Sequence, residues 1–193
     1  MHDICHLTRR HALHKHHVDE NGLRIEIGLV LLRLTAGLTL AAHGAQKLFG
    51  WFGGPGLDGT GQFFETIGFL PGWRHALMAG VAETGGGLLL ALGLFTPIGA
   101  ALICSVMLVA VTVHMKNGFF AQNGGYEYAV VLGVAALTVA FTGPGSLSLD
   151  ALLGNHLNGT FCGIAALFVG VLGGASSIIQ RRRTSAQQAE IAN

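Results

Sequence analysis

The sequence predicts an all-α, polytopic membrane protein, a four-helix bundle followed by an additional C-terminal transmembrane helix. Of its 193 residues, 51% are hydrophobic and only 11% are charged, whereas soluble domains carry about 25% charged residues. Five apolar runs approach the roughly 17–25 residues that a membrane-spanning helix needs. Glycine and proline separate several of these runs, as at Thr96-Pro97 and Gly143-Pro144-Gly145, and these residues typically end helices.

The charge and the cysteines exclude several other classes. The formal net charge is +1, and no basic stripe with interleaved aromatic residues is present, so no nucleic-acid partner is expected. The three cysteines are isolated and form no CxxC pair, which argues against a disulfide framework or a thioredoxin-like motif. The expected partner of most of the surface is therefore the lipid bilayer.

The predicted domain begins after a polar, histidine-rich tail, residues 1–24, that lacks the apolar core of a secretory signal. A four-helix membrane domain is predicted over residues 25–152, with spans at 25–49, 75–95, 97–115 and 126–142. The segment between the first two spans, 50–73, is too long for a turn and too apolar for a solvated loop. It is expected to be interfacial or re-entrant, with its tryptophans at headgroup depth.

The fifth transmembrane helix is predicted within residues 153–180, where the apolar run covers 160–180. Three arginines begin a basic and polar tail, residues 181–193. Basic residues flank the spans on both sides, so the positive-inside rule leaves the orientation ambiguous. The N-terminus is assigned to the cytoplasmic side.

The order of the spans brings most of the unusual polar residues to one membrane face. Ionisable residues inside spans are costly, and they usually face a bundle interior or a cavity. We therefore expect a polar ligand pocket at that face, with Arg33 lying deeper and reaching toward Glu83. The candidate pocket residues are Arg33, His43, Lys47, Glu83, His114, Asn117, Tyr126 and Glu127, and the candidate aromatic rim is Trp51, Phe52 and Phe119.

Several of these residues also have a purely structural interpretation, and His43 alone could be a satisfied polar residue. Lys47 lies at a span end, where lysine commonly extends to water. Glu127 begins a helix, where a carboxylate complements the helix dipole. Arg33 and Glu83 can form a structural buried pair. Only the gathering of the whole set at one face favours a pocket.

The N-terminal tail contains candidate metal ligands at His11, His14, His16 and His17. Histidine-rich tracts bind zinc, copper or nickel through neutral imidazole. Their spacing matches no zinc-finger pattern, so a polar, pH-sensitive tail is the alternative interpretation.

Several separated motifs, in this order, resemble the DoxX family of small bacterial membrane proteins. They are "LLRLTAGLTLAAHGAQKLFGWFGGPG", "GFLPG", "VAETGGGLLLALGLFTPIGA", "NGFFAQNGGYEYAVVLG" and "GPGSLSLD". The resemblance covers about residues 27–152 and implies a four-helix core in the bacterial inner membrane. The histidine-rich tail and the fifth helix lie outside it.

The resemblance also implies a connection to quinone-linked sulfur oxidation, but it supplies no agreed catalytic residues. The first hypothesis is an auxiliary redox component whose pocket binds a quinone headgroup or an anionic sulfur species. A soluble or membrane redox partner would supply electrons, while lysine and histidine stabilise negative charge and a carboxylate handles protons. The alternatives are a small-molecule carrier, with Arg33 and Glu83 on its path, and a scaffold for a soluble enzyme.

Overall fold

The computed structural model describes the backbone of residues 2–155, 157 and 159–191, and the side chains within these ranges outside 2–19, 21, 188–189 and 191. All regular structure in these ranges is helical, which confirms the predicted fold class. Three short 3₁₀ turns occur at Trp51–Gly53, Met115–Asn117 and Ala121–Asn123. The α-helices are α1 (His2–Phe49), α2 (Gly56–Thr66), α3 (Gly72–Leu92), α4 (Thr96–His114), α5 (Glu127–Thr142), α6 (Leu149–Leu152) and α7 (Thr160–Ile191).

Four helical segments are long and apolar enough to cross a membrane: Gly22–Phe49 in α1, α3, Thr96–Asn117 and Thr160–Gln187 in α7. The apolar α5 is shorter, at 16 residues, which corresponds to about 24 Å. It packs against α1, α4 and α7. The chain is therefore a multi-pass membrane protein.

The chain crosses back and forth between two ends of the bundle. We call the end where α3 finishes and α4 begins the near face, and the end where α1 finishes and α3 begins the far face. The reversal at the near face uses Gly93, whose φ of 62° is left-handed and ends α3. Pro97 follows in the first turn of α4, where its missing N–H costs no helical hydrogen bond.

Glycine allows α1 and α3 to pack backbone against backbone. A Cβ atom added at Gly37 would lie 2.5 Å from the carbonyl oxygen of Gly87. Gly44 is equally tight, because a Cβ there would lie 2.6 Å from the Gly80 carbonyl oxygen. Small residues at such contacts are typical of helix pairs in membranes. The two contacts fix the register between α1 and α3.

The fifth predicted span is longer than the sequence indicated. Helix α7 packs against α4 and α5, with Gly170 against Cys104 and Gly173 against Ser105. It continues through the three arginines to Ile191, so this stretch is helix. The backbone of α1 is likewise one helix from His2, so the polar N-terminal stretch continues the first span.

The segment between α1 and α3 contains a helix that the sequence did not separately identify. Helix α2 lies at the far face and contacts both α1 and α3. Its Thr60 and Gly61 are buried, while Trp51 and Trp73 on either side of it are exposed. An interfacial position remains the prediction for this segment, and the helix adds a cover to the far end of the bundle.

Candidate functional site

A cavity of about 860 Å³ lies beneath α2 at the far face. Its walls are mostly apolar and come chiefly from α2, α3 and α4, with further residues from the end of α1 and one from α7. Phe63 and Phe64 of α2 and the buried Phe69 of the following loop cover it. The polar side chains on its walls are His43, Gln46, Lys47, Thr60, His75, Glu83, Ser105, His114 and Ser177.

An ion pair between α1 and α3 is the strongest polar feature of this cavity. Lys47 Nζ donates to Glu83 Oε2 at 2.5 Å, with the Glu83 side chain only 5% exposed and that of Lys47 25% exposed. A buried carboxylate needs such a partner, because its desolvation in an apolar interior is costly. In the antiparallel register set by the Gly37–Gly87 and Gly44–Gly80 contacts, Lys47 lies closer to the far face than Glu83, and the two side chains extend along the helices to meet. The ammonium group therefore lies in the cavity wall.

Two histidines line the same cavity. His43, on α1, has Nδ1 3.1 Å from Gln46 Oε1, and its ring lies edge-on to that of Tyr128, 6.5 Å between centroids. His114, at the end of α4, has Nδ1 2.9 Å from the Gly124 carbonyl oxygen. Within the described residues, the Nε2 atom of each ring makes no hydrogen bond. The structure places His43, Lys47, Glu83 and His114, four of the predicted pocket residues, around one cavity.

Arg33 lies elsewhere, toward the near face. Its Nη2 donates to the Leu147 carbonyl oxygen at 2.6 Å, and its charge interacts with Glu26 and Asp150. Lys47 follows Arg33 by fourteen residues, which is about 21 Å along a helix. The expected approach of Arg33 to Glu83 is therefore wrong. Nε and Nη1 of Arg33 have no hydrogen-bond partner within the described residues.

Asp150 organises this near-face cluster, and the sequence interpretation missed it. Its carboxylate accepts hydrogen bonds from Phe95 N at 2.9 Å, Thr96 N at 3.2 Å and Thr96 Oγ1 at 3.0 Å. Asn155 Nδ2 donates at 3.1 Å. Burial raises the pKa of Asp150, but these hydrogen bonds to the ionised form outweigh it, so its pKa lies below the ordinary value. The sequence did contain a signal for this residue, because Asp150 is the aspartate that ends the motif "GPGSLSLD".

Glu26 completes the near-face cluster. Its Oε2 accepts hydrogen bonds from Ser146 N at 2.6 Å and Leu147 N at 3.4 Å. A Cβ atom at Gly145, where φ is 84°, would collide with the same carboxylate. The near-face cluster therefore attaches the loop before α6 to α1 and to the start of α4.

The comparisons with known proteins now identify the family. The sequence model of the DoxX family matches residues 28–115. The protein of Bacillus subtilis (strain 168) named "Putative oxidoreductase CatD" is 35% identical over 126 residues, covering 65% of this chain and 86% of that protein. The chain belongs to the DoxX family. No solved structure gives a significant match.

The DoxX match covers the main polar residues of the cavity. Lys47, Glu83 and His114 all fall within residues 28–115, as does the whole of α2. Ser177, which lines the cavity from α7, falls outside the match. The cavity of this DoxX-family protein is therefore lined almost entirely by residues within the family match, and its fifth span contributes Ser177.

Three predicted pocket residues organise a loop at the far face. Asn117 Nδ2 donates to the Gly124 carbonyl oxygen at 3.0 Å, and Glu127 Oε2 accepts from Ala121 N at 2.9 Å. The ring of Tyr126 packs edge-on against Phe119 at 5.4 Å. None of these three residues, nor Phe119, is among the cavity-lining residues. Their observed contacts are within the loop between α4 and α5.

The predicted aromatic rim also lies outside the cavity. Trp51, Phe52 and Phe119 are exposed at the far face, and Trp51 packs against Phe49. The aromatic residues that do line the cavity are Phe63, Phe64 and Phe69. The spacing of Thr60, Phe63 and Phe64 follows one face of a helix, which is the signal that the sequence interpretation passed over.

The histidine tract remains a prediction. The side chains of His11, His14, His16 and His17 lie outside the described residues. Elsewhere in the described part of the chain, no three His, Cys, Asp or Glu side chains are grouped as a metal site.

Proposed function

We propose that the far-face cavity binds the headgroup of a membrane quinone, and that the protein is an auxiliary component of quinone-linked redox chemistry. The observation that carries this proposal is an ion pair between a partly exposed ammonium and a buried carboxylate in the wall of a large apolar cavity. Lys47 and Glu83 form the pair, and His43 and His114 line the same space. The name of the Bacillus subtilis relative, "Putative oxidoreductase CatD", supports a redox role.

The chemistry of the walls fits a quinone. The cavity volume of about 860 Å³ lies within the range of about 300–1,000 Å³ common for small-molecule sites. Phenylalanine and aliphatic side chains would contact the ring and the first part of an apolar tail. The Lys47 ammonium has three N–H groups, so it can donate to a quinone oxygen while keeping its bond to Glu83. An anionic sulfur species would gain the same ammonium but would face apolar walls, which favours the quinone.

The polar groups of the cavity can also handle the protons of the reaction. Reducing a quinone to a hydroquinone takes two electrons and two protons. The imidazoles of His43 and His114 line the cavity and have nitrogens that can donate or accept a proton, and Glu83 would be coupled to the ligand through Lys47. A redox partner protein, using a reduced sulfur compound or another donor, would supply the electrons. This chain would bind, orient and protonate the ring.

The carrier alternative is weaker because the two polar regions are separated. Arg33 and Glu83, the residues expected on one path, have separate partners: Arg33 bonds to the loop before α6, and Glu83, at mid-length of α3, bonds to Lys47. Fully buried Leu40, Leu90 and Ile103 belong to the core of the same bundle. The tight glycine contacts between α1 and α3 leave no gap between those helices. These observations support a binding site that opens at one face.

The binding half of the proposal is tested with decylubiquinone and protein in lipid nanodiscs. In Lys47→Met/Glu83→Met, we expect binding to weaken by about tenfold or more, because a hydrogen bond from a charged donor is worth about 1.5–3 kcal/mol. Replacing both members of a buried ion pair by apolar residues is often neutral for stability. The thermal unfolding midpoint should therefore stay near that of the wild type.

Lys116→Met is the matched control, because Lys116 is exposed at the same face and does not line the cavity. It should bind decylubiquinone as the wild type does. Equal binding by the double variant, or no binding by the wild type, contradicts the proposal. Identification of a co-purified quinone by mass spectrometry would support it independently.

The redox half is tested in membranes that contain the protein and its electron-donating partner. Quinone reduction with thiosulfate or sulfide as the donor should slow in the double variant and not in Lys116→Met. Equal rates in all three would leave a bound quinone without a redox role and would favour the scaffold alternative.

A further inference from the structure

His75 is a cavity-lining imidazole that the sequence interpretation did not consider. It lies in the first turn of α3 and is partly buried. It lines the cavity. A neutral imidazole has one N–H donor and one acceptor nitrogen. A neutral His75 ring therefore keeps one nitrogen as an acceptor in either tautomer.

Two side chains pack one after the other against this imidazole. The ring of Phe69, only 1% exposed, lies 5.1 Å from the His75 ring. The guanidinium carbon of Arg181 lies 5.2 Å from the centre of the Phe69 ring, and Arg181 Nε donates to the Ile67 carbonyl oxygen at 2.7 Å. Helix α7 is thereby attached to the loop that positions His75.

His75 and the Lys47–Glu83 pair belong to different levels of the same cavity. Glu83 follows His75 by eight residues on α3, a rise of about 12 Å along the helix, with a rotation of about 80° between them. Both side chains line the cavity, and apolar Met78 and Ala79 lie between them in sequence. The cavity thus has a charged pair and an imidazole at two heights along α3, a separation that fits a six-membered ring with oxygens at opposite ends.

We propose that His75 accepts a hydrogen bond from the second ring oxygen of the bound molecule in its hydroquinone form, and that Arg181 is the positioning residue that holds His75 through Phe69. This inference rests on the proposed quinone site and adds a preference for the reduced ligand. One hydroxyl interacts with Lys47, and the other donates to the free nitrogen of His75. Through Arg181, the fifth span α7 would also help to position a ligand-binding residue.

The test compares decylhydroquinone with decylphenol, which lacks one of the two ring oxygens, under anaerobic conditions. The wild type should bind decylhydroquinone about 3–10-fold more tightly than decylphenol, the range expected for one hydrogen bond. His75→Phe keeps a ring against Phe69 but removes the acceptor, so this ratio should fall to about 1. A structural defect would instead weaken both ligands equally. Arg74→Gln, in the same helical turn but outside the cavity, should keep the wild-type ratio.

The positioning role of Arg181 is tested by the same ratio of decylhydroquinone affinity to decylphenol affinity. Arg181→Gln should lower it, Arg181→Lys should restore part of it by keeping a cation over Phe69, and Arg183→Gln on the same helix should leave it unchanged. If the wild type binds neither probe, the proposed quinone site itself is overturned. If it binds both but His75→Phe keeps the wild-type ratio, or loses both ligands equally, only the role of His75 is overturned.

Discussion

The two faces of the bundle both bury charged side chains, yet they use them differently. At the near face, Glu26 and Asp150 bond to backbone N–H groups and Arg33 bonds to a backbone carbonyl. At the far face, Lys47 and Glu83 bond to each other across the wall of a cavity. The first arrangement holds a loop in place, whereas the second leaves ammonium N–H groups for a ligand.

This difference refines a common rule about membrane proteins. An ionisable residue inside a span is by default a candidate functional residue. Here Arg33 and Glu83 satisfy the rule equally well in the sequence. What separates them is the partner, because backbone partners indicate a structural role and a cavity indicates a binding role. An effect of near-face residues, or of the far-face loops, on ligand binding would contradict this division of roles.

The largest expected effect is on stability at the near face. Asp150→Ala leaves the N–H groups of Phe95 and Thr96 buried without their acceptor, and it removes a charge that interacts with Arg33. We expect a loss of about 3–5 kcal/mol in the free energy of unfolding, the range for breaking a buried charged network. Denaturant unfolding in detergent measures it.

Asp58→Ala is the control for this change, because Asp58 is exposed in the first turn of α2, and it should cost under about 1 kcal/mol. Folded Asp150→Ala protein, recovered at low temperature, should bind decylubiquinone as the wild type does. A specific loss of affinity there would contradict the division between the two faces.

A smaller effect at the same face is a dependence of stability on pH. Because the pKa of Asp150 is lower in the folded protein than in the unfolded chain, its contribution is complete above the unfolded pKa of about 3.9. It is lost as the pH falls through the folded pKa. The asparagine side chain of the Asp150→Asn variant has no ionisable group at this position. The difference between wild-type and variant unfolding midpoints, measured from about pH 6 to pH 3, should therefore shrink as the pH falls; a constant difference would contradict this assignment.

The order and direction of the spans followed from the sequence because they depend on local signals. Apolar length and glycine or proline breaks located the bundle helices, and strict alternation of direction then brought Lys47, Glu83, His43 and His114 to one face. These features need no knowledge of packing angles. The separate helix α2 was harder to find, since its eleven residues give a weak periodic signal.

The errors about the site have a common physical cause. A sequence gives the depth of a residue along a helix, but not the direction in which its side chain meets neighbouring helices. Arg33 was assigned to Glu83 although about 21 Å of helix separates it from Lys47, and its true partner, the Leu147 carbonyl, is a backbone atom of a distant loop. His75 was missed because its importance depends on Phe69 and Arg181, which come from two other segments.

The smallest expected effect concerns the far-face loop between α4 and α5. Asn117→Ala removes one exposed hydrogen bond to the Gly124 carbonyl oxygen, which also lies 2.9 Å from His114 Nδ1. We expect a loss of about 0.5–1.5 kcal/mol in stability and no change in decylubiquinone affinity, since Asn117 does not line the cavity. Thermal unfolding and ligand titration on the same nanodisc sample measure both. A tenfold loss of affinity with little loss of stability would show that the loop contacts the ligand, and the binding role would then extend beyond the cavity to the loop of the far face.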